Sequence, residues 1–450
     1  MRTRARVAAL AVAAWTVGGG TAASVSPPTI DPGALPPGNL PPLPSELRDA
    51  CAATAAVTDA APTPAPQRTL DLDAVWPLTT GRGQLVAVID TGVERHPRLP
   101  GLVAGGDFVS TGDGTSDCDA HGTLVAGIIA ASRSGDSGFA GVAPDARILT
   151  IRQSSNIYRR VGAVPDADGP NARGVGTLTT LASAVRRAAD LGATVINISE
   201  VACVPPGSGD NPALGAAVDY AARVHDAVVV AAAGNLDACP RSNPEPDPAR
   251  PDADPWTDVA TVATPAWYDD QVLTVGSVDP DGSPSAFTLP GPWVDVAAPG
   301  TGITSLDPRR PQDAGLTDSA NGKPVEGTSF ATPYVAGTAA LVRARHPEWT
   351  ARQVIARIQA TAHAPAAGWD PFVGHGTVDP LAAVTAAESD PVTDPASAAI
   401  PPPEPVPPPD TRPRTVALFG AGGVAAALGV GLLASFPLRR RRHPADTSDG

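Results

Sequence analysis

The chain has 450 residues, of which 52 are Pro and 45 Gly, with only 4% aromatic, so it has room for one large domain or two ordinary ones alongside segments that cannot pack. Its formal net charge is -14, and seven Arg sit at the two ends (Arg2, Arg4 and Arg6; Arg439 to Arg442), which leaves the body more acidic than the total. An acidic body argues against a nucleic-acid partner, because phosphate contacts need basic surface.

In chain order, residues 1–23 read as a secretory signal. Arg2, Arg4 and Arg6 make a basic start, residues 7–17 a short apolar run, and Thr21-Ala22-Ala23 a small-residue cleavage site. Residues 24–69 are rich in Pro and poor in large apolar side chains, so they cannot bury a core of their own and form an extended segment. Residues 70–387 differ. Short apolar runs at 85–89, 147–151, 194–198, 227–232, 273–278 and 293–297 predict buried strands. Ala-rich or amphipathic stretches at 121–131, 179–191, 213–224, 329–345 and 351–362 predict helices. This alternation predicts an α/β fold, a mainly parallel sheet with helices on both faces. The active site of such a sheet lies at the carboxyl ends of its strands.

Residues 388–414, with Pro401-Pro402-Pro403 and Pro407-Pro408-Pro409, read as a semi-rigid polyproline linker. Residues 415–436 carry no charge and match the ~20 residues a transmembrane helix needs. Arg439 to Arg442 follow at once, so the tail 437–450 is expected in the cytoplasm and the body outside it. The expected location is a single-pass anchor in the cell membrane with an extracytoplasmic catalytic domain.

Four residues carry the chemistry. Ser329 lies in Gly327-Thr328-Ser329-Phe330-Ala331-Thr332-Pro333 and opens an apolar helix, where free N–H groups and the positive dipole end can bind an oxyanion. A capping serine alone would look the same. His121 starts a helix of small residues and can take a proton from a serine hydroxyl. Asp90 ends the strand 85–89 and can orient that imidazole. Asn235, in Ala233-Gly234-Asn235, follows another strand and can donate its amide to an oxyanion.

The order Asp, His, Asn, Ser on one parallel sheet resembles the subtilisin-like serine proteases across residues 70–387. Further matches are Asp90-Thr91-Gly92, His121-Gly122-Thr123, Gly141-Val142-Ala143-Pro144, Asn197-Ile198-Ser199, Ala298-Pro299-Gly300 and Gly327-Thr328-Ser329. The resemblance implies a catalytic triad of Asp90, His121 and Ser329, an oxyanion site from Asn235 and the Ser329 N–H, and a substrate-binding wall that includes Asn197, Ser199 and Glu200. Glu200 stands where many subtilisins carry an apolar residue, which argues against a broad hydrophobic preference. A narrower likeness is to the mycosins, the membrane-anchored subtilases of type VII secretion. It rests on the signal, the Pro-rich extension, the run from Gly112 through Asp117-Cys118-Asp119-Ala120-His121, the stretches Ile151-Arg152-Gln153-Ser154-Ser155 and Ile198-Ser199-Glu200-Val201-Ala202-Cys203, and the anchor. It implies cleavage of a limited set of secreted proteins beside membrane subunits of the secretion complex. The alternative it leaves is a structural component of that complex with proteolysis secondary.

Four cysteines suit an oxidising compartment and allow three pairings. Cys203 and Cys239 each follow a strand, and one helix joins those strands, so their carboxyl ends should be neighbours. That leaves Cys51 with Cys118, which would staple the extension beside His121, and the mycosin likeness implies the same pairs. No cofactor is expected. Nor is a metal: the acidic stretch around residues 247–258 has no recognisable ligand spacing and reads as a solvated loop.

Overall fold

The computed structural model describes residues 25–57, 63–135, 137–162, 174–207, 211–239, 241–247, 249–250, 253–313, 315–385 and 426–431. The expected signal 1–23, linker 388–414 and tail 437–450 lie outside them, as does the expected membrane helix 415–436 apart from residues 426–431, which are helical and exposed. Among the described residues no helix is long and apolar enough to cross a membrane. The chain divides into two units, Met1–Ser389 and Asp390–Gly450.

The first unit holds strands β1 (Ser45–Leu47), β2 (Thr54–Ala56), β3 (Leu85–Asp90), β4 (Val103–Asp107), β5 (Arg147–Arg152), β6 (Tyr158–Arg160), β7 (Val195–Ile198), β8 (Ala202–Val204), β9 (Val228–Ala232), β10 (Val262–Thr264), β11 (Val272–Val278), β12 (Val296–Pro299), β13 (Ser305–Leu306) and β14 (Leu316–Ala320). Its α-helices are α1 (Ala65–Thr69), α2 (Leu72–Val75), α3 (His121–Ala130), α4 (Leu178–Asp190), α5 (Pro212–Asp219), α6 (Thr328–Arg345), α7 (Ala351–Thr361) and α8 (Pro380–Thr385). Seven strands form one sheet in the order β12-β11-β9-β7-β3-β5-β4, all neighbours parallel.

Side-chain alternation explains the two-sided core. Val86 and Val88 of β3 join Val195, Val228, Val230, Leu273 and Val275 on the face covered by α3 and α6. Ala87 and Ile89 join Ile196, Ile198, Val229 and Ala231 on the face covered by α4 and α5. Both faces are therefore apolar, and the strands read as continuous hydrophobic runs.

Two predicted elements are displaced. The strand expected at 293–297 begins only at Val296, because Val294 N–H closes a turn onto Gly291 O at 3.2 Å. The helix expected at 213–224 is α-helical to Asp219 and widens to a π-type turn over Tyr220–Val224.

The extension is extended, as its composition predicts, but it is not structureless. β1 pairs antiparallel with β6, and β2 with β14. Ile30, Leu35 and Leu40 pack onto the α4–α5 side of the core, and Ala52 packs against Cys118, Ala120 and Ile157. The extension thus takes its core from the domain it lies on.

Candidate active site

Asp90 is the last residue of β3 and is fully buried. Its Oδ1 accepts from the Thr91 N–H at 2.7 Å and lies 2.7 Å from His121 Nδ1. His121 is the first residue of α3. The helix reaches the strand end this closely because residue 122 is Gly: a Cβ there would stand 2.1 Å from Gly92 O. The Phe330 ring packs against the imidazole, centroid to centroid 4.9 Å and tilted 47°.

The imidazole keeps 27% of its surface exposed. Burial alone would lower its pKa. The Asp90 carboxylate, by charge and hydrogen bond, outweighs burial with help from Glu200 and Asp117 and raises the pKa to about 9.

Ser329 is the second residue of α6, behind Thr328 and the N-cap Gly327. Gly327 has φ 143, a conformation that side chains rarely adopt, and a Cβ there would stand 3.1 Å from Asn235 Nδ2. Asn235 is held by its carbonyl end. Oδ1 accepts from Thr328 N–H at 3.1 Å and from Thr328 Oγ1 at 2.9 Å, so the amide NH2 is left to face the α6 N-terminus.

Pro333 has a role in the same turn. It has no N–H, so the Ser329 carbonyl lacks its partner four residues on. Ser199 Oγ supplies the missing donor at 2.8 Å, and Asn197 Nδ2 donates to Ser199 Oγ at 2.9 Å.

The same bonds place the side chains of two residues of the expected substrate wall. Asn197 and Ser199 are buried and point at the scaffold under Ser329. Glu200 is partly exposed and accepts from Ser154 Oγ. Burial first, then the Asp90 charge, raises its pKa to about 7.

The structure therefore gathers Asp90, His121, Ser329, Asn235 and Glu200 at the carboxyl ends of β3, β7 and β9 and the start of α6. Such an arrangement can pass a serine proton to an imidazole and bind an oxyanion between an amide and a helix N-terminus. Ser154 and Asp117 were not singled out in the sequence. Ser154 lies in the quoted run from Ile151, and Asp117 four residues before His121, which on a helix start is within capping reach.

Both disulfides are present. Cys51–Cys118 spans 67 residues, and Cys203–Cys239 spans 36 and joins the loops after the neighbouring strands β7 and β9. Cys203 itself lies on β8, which pairs with β10, an antiparallel contact with no clear signal in the sequence. Among the described residues no group of three or more His, Cys, Asp or Glu is placed to hold a metal ion.

Residues 81–376 match the subtilase family model, and the chain belongs to that family of serine proteases. Within it the chain is a mycosin by similarity. Mycosin-4 of Mycobacterium tuberculosis (strain ATCC 25618 / H37Rv) is 52% identical over 380 residues, 83% of this chain and 80% of that protein. Mycosin-1 of Mycolicibacterium smegmatis (strain ATCC 700084 / mc(2)155) is 45% identical over 409 residues, 89% and 90%. Among solved structures, the serine protease MycP1, described as an essential component of the type VII (ESX-1) secretion system, is similar at TM-score 0.74 and 47% identity, covering 80% of this chain and 99% of that one. A chain of the intact ESX-5 inner membrane complex is similar at TM-score 0.74 and 42% identity, covering 92% and 100%.

Proposed function

We infer that this chain is a serine endopeptidase of limited specificity in which Ser329 is the nucleophile, His121 the general base and Asp90 its orienting partner. The observation that carries the reading is the 2.7 Å contact between His121 Nδ1 and a fully buried Asp90 carboxylate, on a domain whose α6 presents Ser329 beside the Asn235 amide. With Nδ1–H held by Asp90, Nε2 is the basic nitrogen. Ser329 Oγ attacks the scissile carbonyl while Nε2 takes its proton. The oxyanion is met by Asn235 Nδ2 and the Ser329 N–H. The proton then passes to the leaving amine, and a water repeats the sequence to release the acyl group. Asn197 and Ser199 act from beneath by fixing the Ser329 backbone, and Glu200 borders the substrate cleft. The test is a fluorophosphonate reagent: it should label the intact chain at Ser329, and Ser329→Ala should abolish labelling without unfolding. Absence of labelling in folded wild-type protein rules the reading out.

The setting follows from the mycosin likeness and the sequence pattern together. The body acts outside the cytoplasmic membrane on secreted proteins, held by a single helix at 415–436 through the linker 388–414, beside the membrane subunits of a type VII secretion complex. The domain plan is the signal 1–23, extension 24–69, peptidase domain 70–387, linker, anchor and cytoplasmic tail 437–450. A second role, structural support of the complex, is favoured by the similarity to a chain solved within an inner membrane complex. In cells, Ser329→Ala separates the two. Secretion that persists while processing stops means that both exist.

A further inference from the structure

The loop that delivers His121 is built around a carboxylate that the catalytic scheme does not use. Asp117 is 1% exposed. Its Oδ1 accepts from Thr91 Oγ1 at 2.9 Å and from Ala120 N–H at 2.8 Å. Its Oδ2 accepts from Thr123 N–H at 2.8 Å and from Thr123 Oγ1 at 2.6 Å. The two hydroxyls have fixed polarity. Thr91 Oγ1 accepts from Gly122 N–H at 3.0 Å and Thr123 Oγ1 from Glu94 N–H at 2.9 Å, so each turns its own hydrogen toward Asp117. Four donors therefore converge on two oxygens, and two of them, the Ala120 and Thr123 N–H groups, can only donate. Burial pushes this carboxyl up, to about 7, against the bonds from Thr123 and Thr91. The four converging donors favour the ionised form.

The bonds span the two elements that meet in the site. Thr91 follows Asp90 at the end of β3, and Ala120 and Thr123 flank His121 at the start of α3. Ala120 has φ 72, an unfavourable conformation for a residue with a Cβ, and α3 has no side chain at its N-cap to hold the first turn. Asp117 does both jobs from outside the helix. It binds the N–H of the strained residue and the free N–H of the third helical residue.

The geometry points to Asp117 as a positioning residue for the Asp90–His121 pair, a buried carboxylate that locks the end of β3 to the first turn of α3. This rests on the protease reading above. The charged and titratable groups around Asp117 are Asp90 at the end of β3, Glu94 after it, Asp119 in its own loop, His121 on α3, Glu200 after β7, and Arg309, whose guanidinium donates to the Asp117 carbonyl. Among these Asp117 adds negative charge beside the imidazole, so its loss affects basicity as well as position.

The experiment compares full-length wild type with Asp117→Asn, using active-site titration by a fluorophosphonate and the pH profile of kcat/KM on a cleavable peptide. Asn keeps the shape but turns an NH2 toward a donor. The expected result is an unchanged KM, a kcat per titrated site lower by roughly 10- to 100-fold, and an acid limb moved to lower pH. A lower melting temperature with kcat per titrated site and acid limb as in wild type overturns the proposal, since that is a merely structural residue. Should Asp117→Asn not fold, Thr123→Val and Thr91→Val decide, each deleting one hydroxyl donor to Asp117 together with the acceptor of one N–H. Reduced kcat per titrated site supports the proposal, and wild-type values overturn it. Wild-type protein that fails to react with the reagent sinks the protease reading itself. A reactive wild type with an unaltered variant sinks only this inference.

Discussion

The backbone N–H of Ala52 donates a 2.8 Å hydrogen bond to the carbonyl of Cys118, so the extension is tied by hydrogen bond as well as by disulfide to the loop that ends in His121. Ala52 is 3% exposed and packs against Ala120. Nothing in this contact blocks the imidazole.

The extension should therefore be a permanent wrap rather than an inhibitory propeptide. Purified protein should keep it and still react with an active-site serine reagent. Cys51→Ser opens a 67-residue loop, worth about 4 kcal/mol in the chain-entropy account. It should lower the melting temperature more than it lowers Ser329 reactivity. A mature protein that begins near residue 70 and reacts only after that cut would contradict this.

Ser199 and Pro333 should be coupled. Ser199→Ala leaves the Ser329 carbonyl without its donor, at an expected cost of about 1–3 kcal/mol. Pro333→Ala introduces an N–H that can make the missing helical bond. The double variant should then recover part of the stability lost in Ser199→Ala, as read by denaturant titration. Simple additivity would show that the proline is not the reason for the serine.

Ser329→Ala, His121→Ala and Asp90→Asn should each remove most turnover, with losses that do not add, because the three groups act as one unit. For Asp90→Asn the expected fall in kcat is about 10^4-fold, since an amide holds the wrong imidazole tautomer. Peptide hydrolysis by the single and double variants measures this. Full activity in any single variant removes that residue from the mechanism.

The pH dependence has a definite sign. Attack needs neutral imidazole, so kcat/KM should rise with pH along an acid limb above the ordinary imidazole value of 6.5. Stability runs the opposite way. The folded pKa, about 9, exceeds the unfolded one, so the contribution of the Asp90–His121 pair is complete below 6.5 and is lost as pH rises through about 9. Glu200→Gln removes a negative neighbour of His121 and should move the acid limb to lower pH. A limb that stays in place would show that the Glu200 charge does not reach the imidazole.

The strands of the sheet centre were legible because both of their faces are buried, which makes β9 apolar throughout, β3 apolar up to Asp90 and β7 apolar apart from Asn197. β4 was not, because it is an edge strand containing Gly105 and Gly106, whose pairing register with β5 shifts between Ala104 and Gly106. The order Asp90, His121, Asn235, Ser329 was legible because each residue stands at the junction of a strand or helix with a loop. The place of Asn197 and Ser199 was not, because a motif gives no direction for a side chain. Only the missing N–H of Pro333, seen together with the α6 backbone, shows why a hydroxyl is needed at 199. Asp117 was hidden for a related reason: its four donors come from two elements that only the fold brings together.

The expected topology is tested by proteolysis of intact cells stripped of their outer layers. The peptidase domain should be accessible from outside the cytoplasmic membrane, and a tag after Gly450 protected. A tag digested from outside would reverse the orientation inferred from Arg439 to Arg442.

The extension strand β2 finds its partner β14 more than half the chain away, with Thr317 opposite Ala56, whereas Cys118 is only 67 residues from Cys51. The difference in loop length favours an order of closure. The 67-residue loop closed by Cys51–Cys118 costs less entropy than the longer loop that brings β2 to β14, so the tether should close first and leave the edge of Thr54–Ala56 unpaired until β14 arrives. On the export proposed above, an early tether would hold that strand near the site it comes to occupy and away from neighbouring chains.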